Sequence, residues 1–277
     1  MQSFKRSILI AAAIVLIAGS IILILVNKGT KEKNMTTETE IYTGTVENLI
    51  FEAGACEIEI KEGQAGQVEL WYQGIRAEDI SGKLENGTLK IKSSHKNIWN
   101  VSFFGIKIGN RNKKDAKICL TIPKDTVFQS VVMNFGAAQV EAERILAEDL
   151  KLTIGAGEMT AEYLLANSSA EISVGAGSLS VNGASLTNAD LKCGVGQMKL
   201  SGELFGNGKV DCGVGEVELS LTTEEEIYRG NLDCGLGSIR VGKNSVNGTG
   251  KSEYGTSSAE NRIDIKCGVG EVDVHFK

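Results

Sequence analysis

A ten-residue pattern, apolar-x-apolar-Gly-apolar-Gly-x-apolar-x-apolar, recurs through most of this chain and dictates what it can fold into. Clear copies are LTIGAGEMTA (152–161), ISVGAGSLSV (172–181), LKCGVGQMKL (191–200), VDCGVGEVEL (210–219), LDCGLGSIRV (232–241) and IKCGVGEVDV (265–274). Two degenerate copies precede them, FEAGACEIEI (51–60) and MNFGAAQVEA (133–142). From Gly136 the first glycines step by 19, 20, 19, 19, 22 and 33 residues. A unit this short cannot bury its apolar face alone, so copies must stack on one another. Within a copy the apolar positions alternate with period two, the mark of a strand with one buried face. After the second glycine the alternation resumes one residue out of phase, as it does at a bend, where glycine would supply the unusual dihedrals. The fold class is therefore all-β. The expected architecture is a β-solenoid (β-helix or β-roll) of 19–20-residue coils with Gly-x-Gly corners, neighbouring coils lying about 4.8 Å apart.

Two side-chain regularities fit that stacking. Where the residue before the first glycine is large (Phe135, Ile154, Val174), the one after it is Ala137, Ala156 or Ala176. Where the former is Cys193, Cys212, Cys234 or Cys267, the latter is Val195, Val214, Leu236 or Val269, a trade expected of two positions sharing one packed corner. An outward column reads Lys199, Glu218, Arg240, Asp273 in chain order, alternating in sign as a solvated, register-fixing ladder does.

The ends are less regular. Residues 41–116 read as an irregular amino-terminal cap containing strands at 66–74 and 88–92 and an insertion at 93–116, and 117–277 as the regular coils. The 242–261 stretch reads as a polar surface loop. The chain stops just after the 265–274 copy, so the coil 262–277 is expected to present an open edge that pairs with a partner or a second copy.

Ahead of the repeats, residues 8–26 (ILIAAAIVLIAGSIILILV) hold no charge. As a helix this run is about 28 Å long, matching a hydrocarbon core of about 30 Å, and it lacks the short apolar region and small-x-small exit of a cleaved signal. It reads as one amino-terminal transmembrane helix, with 1–7 a cytoplasmic tail, 27–40 a flexible tether and 41–277 an extracytoplasmic domain on a single-pass cell-membrane protein. From Asn34 onward the chain carries 24 basic and 34 acidic groups, which argues against nucleic acid as a partner.

Chemistry is sparse. His95 and His275 are the two histidines of the chain. The residue two after each second glycine is apolar, where a calcium-binding roll needs aspartate, and the Gly-x-Gly copies lack the third glycine and following helix of a dinucleotide loop. Glu216 and Glu271 are the nearest carboxylate pair, expected to stand on either side of Ser238, and read as solvated. No catalytic, cofactor or metal residue is assigned, and no enzymatic activity is expected. Cys193, Cys212, Cys234 and Cys267 share one inward column, with Cys56 and Cys119 elsewhere. They read as small core-filling thiols, with disulfides and metal binding as the two alternatives.

The tandem Gly-x-Gly copies, TLKIK at 88–92 followed by LTIPKD at 120–125, and the closing CGVGEVDVHF (267–276) make residues 41–277 resemble the putative-adhesin domain family of bacterial single-pass membrane proteins. The resemblance implies a non-enzymatic role in adhesion or envelope scaffolding, with the bilayer held through residues 8–26 and an envelope protein or polysaccharide as partner. A regulatory or sensory subunit for a membrane partner, in envelope-stress signalling, is the alternative.

Overall fold

The computed structural model describes residues 36–64, 66–94, 101–103, 106–108 and 116–277. The expected tail, membrane helix and first part of the tether lie outside them. Among the described residues no helix is long and apolar enough to cross a membrane. The fold is all-β: from Thr36–Thr43 to Glu271–Phe276 the described elements are strands, with two short 3-10 turns at Ala77–Asp79 and Glu225–Ile227.

Each copy contributes two strands meeting at its Gly-x-Gly corner, and successive copies pair in parallel and in register. On one ladder Ile154 lies beside Val174, Val174 beside Cys193 and Cys193 beside Cys212. On the other, Met159 lies beside Leu179, Leu179 beside Met198 and Met198 beside Val217. The returning segments stack as well, 144–147 on 163–166 and 184–187 on 202–205. The change of phase at the corner is visible in burial: Leu191 and Cys193 face inward, then Gly196, Met198 and Leu200 do. One continuous apolar core runs from Leu49 to Val274. A Val, Leu or Ile side chain gains roughly 1.5–3 kcal/mol from full burial, and here that burial needs a neighbouring tier above and below. The terminal tiers must therefore be covered.

Both ends achieve this by departing from chain order. At one end, Thr88–Ser93 and Lys117–Pro123 form a parallel tier outside Asn48–Ala53 and Glu57–Gly63, although they follow them in sequence. The insertion between them, which carries the hairpin Val101–Phe103 and Ile106–Ile108, takes the place of a Gly-x-Gly corner. Ile80–Glu85 and Gln67–Ile75 cover this tier in antiparallel fashion, and Thr36–Thr43 pairs outside the latter. The irregular cap expected over 41–116 thus contains ladder strands, and the strand Thr36–Thr43 overlaps the stretch read as tether.

At the other end, Asn261–Cys267 pairs with Asn207–Cys212 on one side and Tyr228–Cys234 on the other. Glu271–Phe276 likewise lies between Glu216–Leu221 and Ser238–Val241. The last copy in sequence is therefore interior, and the open edge expected at 262–277 is absent. The edge is closed by the segment read as a polar loop: Gly250–Tyr254 pairs antiparallel with Tyr228–Cys234, and Asn244–Asn247 with Ser238–Val241. Tyr254 fixes this cover, its ring buried and its hydroxyl donating to the Ile263 carbonyl at 3.0 Å. The 33-residue step between Gly235 and Gly268 is the length needed to build two cover strands and return one tier inward.

Candidate functional site

The Gly-x-Gly corner is set by close approach. None of the corner glycines has the positive φ that would reserve the position for glycine, so the expected unusual dihedrals are not the reason. A Cβ on Gly196 would lie 1.9 Å from the Gly177 carbonyl oxygen, and one on Gly177 2.0 Å from that of Gly157. The first glycines are less confined, with 2.7 Å from a Gly194 Cβ to the Gly175 oxygen. The carbonyls in the way are held by the ladder itself, since Val195 N–H donates to Gly175 O at 2.8 Å and Gln197 N–H to Gly177 O at 3.0 Å.

The residue between the two glycines points outward in the later tiers. The volume trade across one packed corner therefore fails: Val214, Val269 and Leu236 are 37%, 42% and 75% exposed, while the cysteines before them are buried. Tier order places Val214 beside Val269 and Val269 beside Leu236: Val269 N–H donates to the Gly213 carbonyl at 2.8 Å and Leu236 N–H to the Gly268 carbonyl at 2.7 Å. The result is a short apolar ridge, flanked by glycine, where the tiers at 152–161 and 172–181 carry only Ala156 and Ala176 and Val195 is half-buried. The pattern of apolar residues alone could not show it, because period two does not say which way the middle residue of a corner points.

Beneath the ridge runs the thiol column. Its order in space is Cys193, Cys212, Cys267, Cys234, each in register with the next. All four are buried and none is bridged, as is true of Cys56; Cys119 is half-buried and also unbridged. The expected shared column is present, with its last two members exchanged by the tier order. Cys212 donates to the Gly215 carbonyl at 3.2 Å. Thiol hydrogen bonds with Cys193 and Cys267, followed by burial, push Cys212 well above the ordinary thiol range. The same contact pulls Cys193 down against its burial, and Cys267 down to about 7. Burial, ahead of the Cys267 charge, raises Cys234.

Ion pairs between neighbouring tiers recur on the outer faces. The charged column runs Lys199, Glu218, Asp273, Arg240 in space, so its signs pair at the ends: Lys199 meets Glu218 and Arg240 meets Asp273, each at 2.7 Å. Glu216 and Glu271 are direct neighbours, with Ser238 beyond Glu271. Gln197 donates to Glu216 at 2.9 Å and Arg240 to Glu271 at 2.7 Å. Among the described residues no group of three or more His, Cys, Asp or Glu is placed to hold a metal ion. A shallow groove of about 500 Å³ near the cover strands is lined by both signs of charge, Asp233, Glu253 and Asp264 with Lys251 and Lys266. Its charges are already engaged in part, Lys251 with Asp233 at 3.0 Å and Asp264 with Arg262 at 2.8 Å.

Residues 46–271, nearly the whole stacked domain, match the family model described as Toastrack DUF4097. The chain belongs to the Toastrack DUF4097 family. Among solved structures, a putative cell adhesion protein from Clostridium sporogenes is similar at 13% identity and a TM-score of 0.39, covering 88% of this chain and 100% of that one. A putative adhesin from Parabacteroides distasonis is similar at 14% identity and TM-score 0.43, covering 87% and 97%. A putative lipid binding protein from the same species gives 13% identity and 0.37, covering 86% and 96%. No curated protein matches the chain. The Toastrack assignment agrees with the family resemblance read from the tandem copies.

Proposed function

We propose that this Toastrack protein is a membrane-anchored, extracytoplasmic β-solenoid that catalyses nothing and serves in adhesion or envelope scaffolding by presenting its stacked surface to an envelope protein or polysaccharide. The uncharged 8–26 run supplies the anchor, with the amino terminus inside and the stacked domain outside. The observation that carries the reading is the outer surface: many of its charged side chains are engaged with one another across neighbouring tiers, as Lys151 is with Glu171 at 2.7 Å and Lys199 with Glu218. Convergent catalysis needs groups held free and aimed at one point, and a self-paired ladder is the opposite arrangement. The apolar ridge at Val214, Val269 and Leu236 is the feature best suited to contact, since large exposed side chains gathered in one place mark interaction surfaces.

Protease treatment of intact cells stripped of their wall, followed by photo-cross-linking from position 236, tests this. The reading predicts loss of the stacked domain to the protease without lysis, and cross-links to a surface polymer or structural envelope protein. Full protection until lysis would remove the extracytoplasmic placement. Cross-links confined to a signalling kinase or transporter would replace adhesion with the regulatory alternative.

A further inference from the structure

The inward thiols form a line of four on adjacent parallel tiers, an arrangement the function above does not use. Three ligand chemistries can be weighed on it. A disulfide needs Cβ atoms about 3.5–4.5 Å apart. Side chains in register on parallel strands hold theirs near the strand spacing of about 4.7–4.9 Å, so closure requires two tiers to be drawn together. That movement is opposed at the corners, where the backbone bonds between these tiers are already only 2.7–3.0 Å long. A tetrahedral zinc site needs four ligands around one point, which a straight column does not give, in keeping with the absence of any three-ligand group among the described residues. A linear sulfur–metal–sulfur unit spans twice one bond. With the zinc–thiolate bond of about 2.3 Å as the guide, that span is about 4.6 Å, close to the tier spacing.

We propose that the Cys193–Cys212–Cys267–Cys234 column is a binding site for a soft cation of the copper(I) class, each ion held in two-coordinate fashion between neighbouring sulfurs. Thiolate softness selects this class over the hard cations, and the two-coordinate geometry selects it over tetrahedral zinc. Binding leaves a neutral unit: one thiol loses its proton to solvent, its sulfur takes the copper(I), and the neighbouring thiol donates a lone pair with its own proton retained. No electron is transferred, and the buried site gains no net charge, which a low-dielectric interior would oppose. Entry is short. A methyl group placed on Gly215, Gly270 or Gly237 would come within 2.9 Å of the Sγ of Cys193, Cys212 or Cys267 respectively. These three glycines are themselves only half-buried, so each of these sulfurs lies beside partly exposed backbone. Four sulfurs in line make two disjoint pairs, 193 with 212 and 267 with 234.

The test uses the full chain in detergent, reduced and oxygen-free, equilibrated with copper(I) in the presence of a chromogenic copper(I) chelator. The column is expected to retain about two ions per chain, with two sulfur neighbours each by X-ray absorption, as soft-ligand selection requires. Cys193→Val should leave about one ion, and Cys212→Ala with Cys267→Ala, which leaves no neighbouring pair, should weaken retention by at least about tenfold. Cys119→Ala, outside the column, should change nothing. Far-UV circular dichroism checks that each variant is folded, and the single Cys193→Val variant decides the matter if the double variant is not. Failure of the wild-type chain to retain copper against the chelator would overturn the proposal, as would unchanged retention in a folded column variant or a four-sulfur shell.

Discussion

Replacing Gly196 with alanine is the sharpest perturbation of the corner. The added Cβ meets the Gly177 oxygen at 1.9 Å, its carbonyl carbon at 2.9 Å and its nitrogen at 3.1 Å, all backbone atoms that cannot rotate away. Relief requires the 191–200 tier to lift from the 172–181 tier. That weakens the bonds from Val195 N–H and Gln197 N–H, at 2.8 and 3.0 Å. Overpacking alone costs about 1–3 kcal/mol, and two ladder bonds stretched beyond useful length add about 0.5–1.5 kcal/mol each. The expected loss is about 2–6 kcal/mol. Gly136→Ala is the matched control: its Cβ would meet nothing nearer than 3.5 Å, and its φ is not positive. There the reduced freedom of the unfolded chain contributes about 0.4–1 kcal/mol in the stabilising direction. Gly194→Ala, at 2.7 Å, should fall between the two. Urea denaturation of the full chain in detergent, followed by circular dichroism, gives the three midpoints. Gly196→Ala within about 0.5 kcal/mol of Gly136→Ala, a margin within which surface substitutions usually fall, would refute the close-approach explanation.

Tyr254→Phe removes the hydroxyl that ties the cover strands to Ile263. It should cost about 1–2 kcal/mol and raise hydrogen exchange in 244–267 while leaving 128–200 protected; uniform exchange would contradict a local cover. Acid should destabilise the stack. Lys92 holds Glu52 and Lys199 holds Glu218 below the ordinary carboxylate range, and Asp264 is lowered because Arg262 and the Asn231 N–H outweigh its burial. A depressed native pKa gives stability that is present above the unfolded-state value of about 4 and is lost as pH falls through the native one. The urea midpoint should hold from about pH 8 to pH 5 and drop below about pH 4; a flat profile to about pH 3 would show these pairs to be immaterial.

Much of this fold was legible because its rule is local. Period-two alternation and the phase slip at each glycine pair identify strand, corner and strand without reference to anything distant, and the 19–20-residue step gives the stacking partner for the middle copies. The same rule failed where chain order and spatial order part. Nothing in IKCGVGEVDV says that it inserts one tier inward, because a tier's inner face is the same whichever tier it lies on. The signal was the surplus length before it: thirteen residues beyond a regular step are needed for something, and cover strands are what an open edge requires. Glu216 and Glu271, read as separated, became neighbours for the same reason, and the charged column changed its order. The ridge was hidden for another reason, since an apolar residue between two glycines obeys the column pattern whether it points in or out. The thiol column was readable as a column, but its order and its nearness to the surface came only from the tiers.

The interior position of the last copy carries the cover strands, the carboxylate neighbours and the order of the thiols, and one cross-link tests it. Cysteines at 216 and 271 lie in register on adjacent tiers, about 4.8 Å apart, whereas cysteines at 216 and 238 are two tiers apart, about 9.6 Å. Dibromobimane bridges only thiols a few ångströms apart, and mass spectrometry of the bridged peptides separates these products from any reaction at native thiols. The Glu216→Cys, Glu271→Cys chain should give a bimane bridge from 216 to 271 and the Glu216→Cys, Ser238→Cys chain none; a bridge from 216 to 238 in place of 216 to 271 would put the tiers back in chain order and contradict the structure described here.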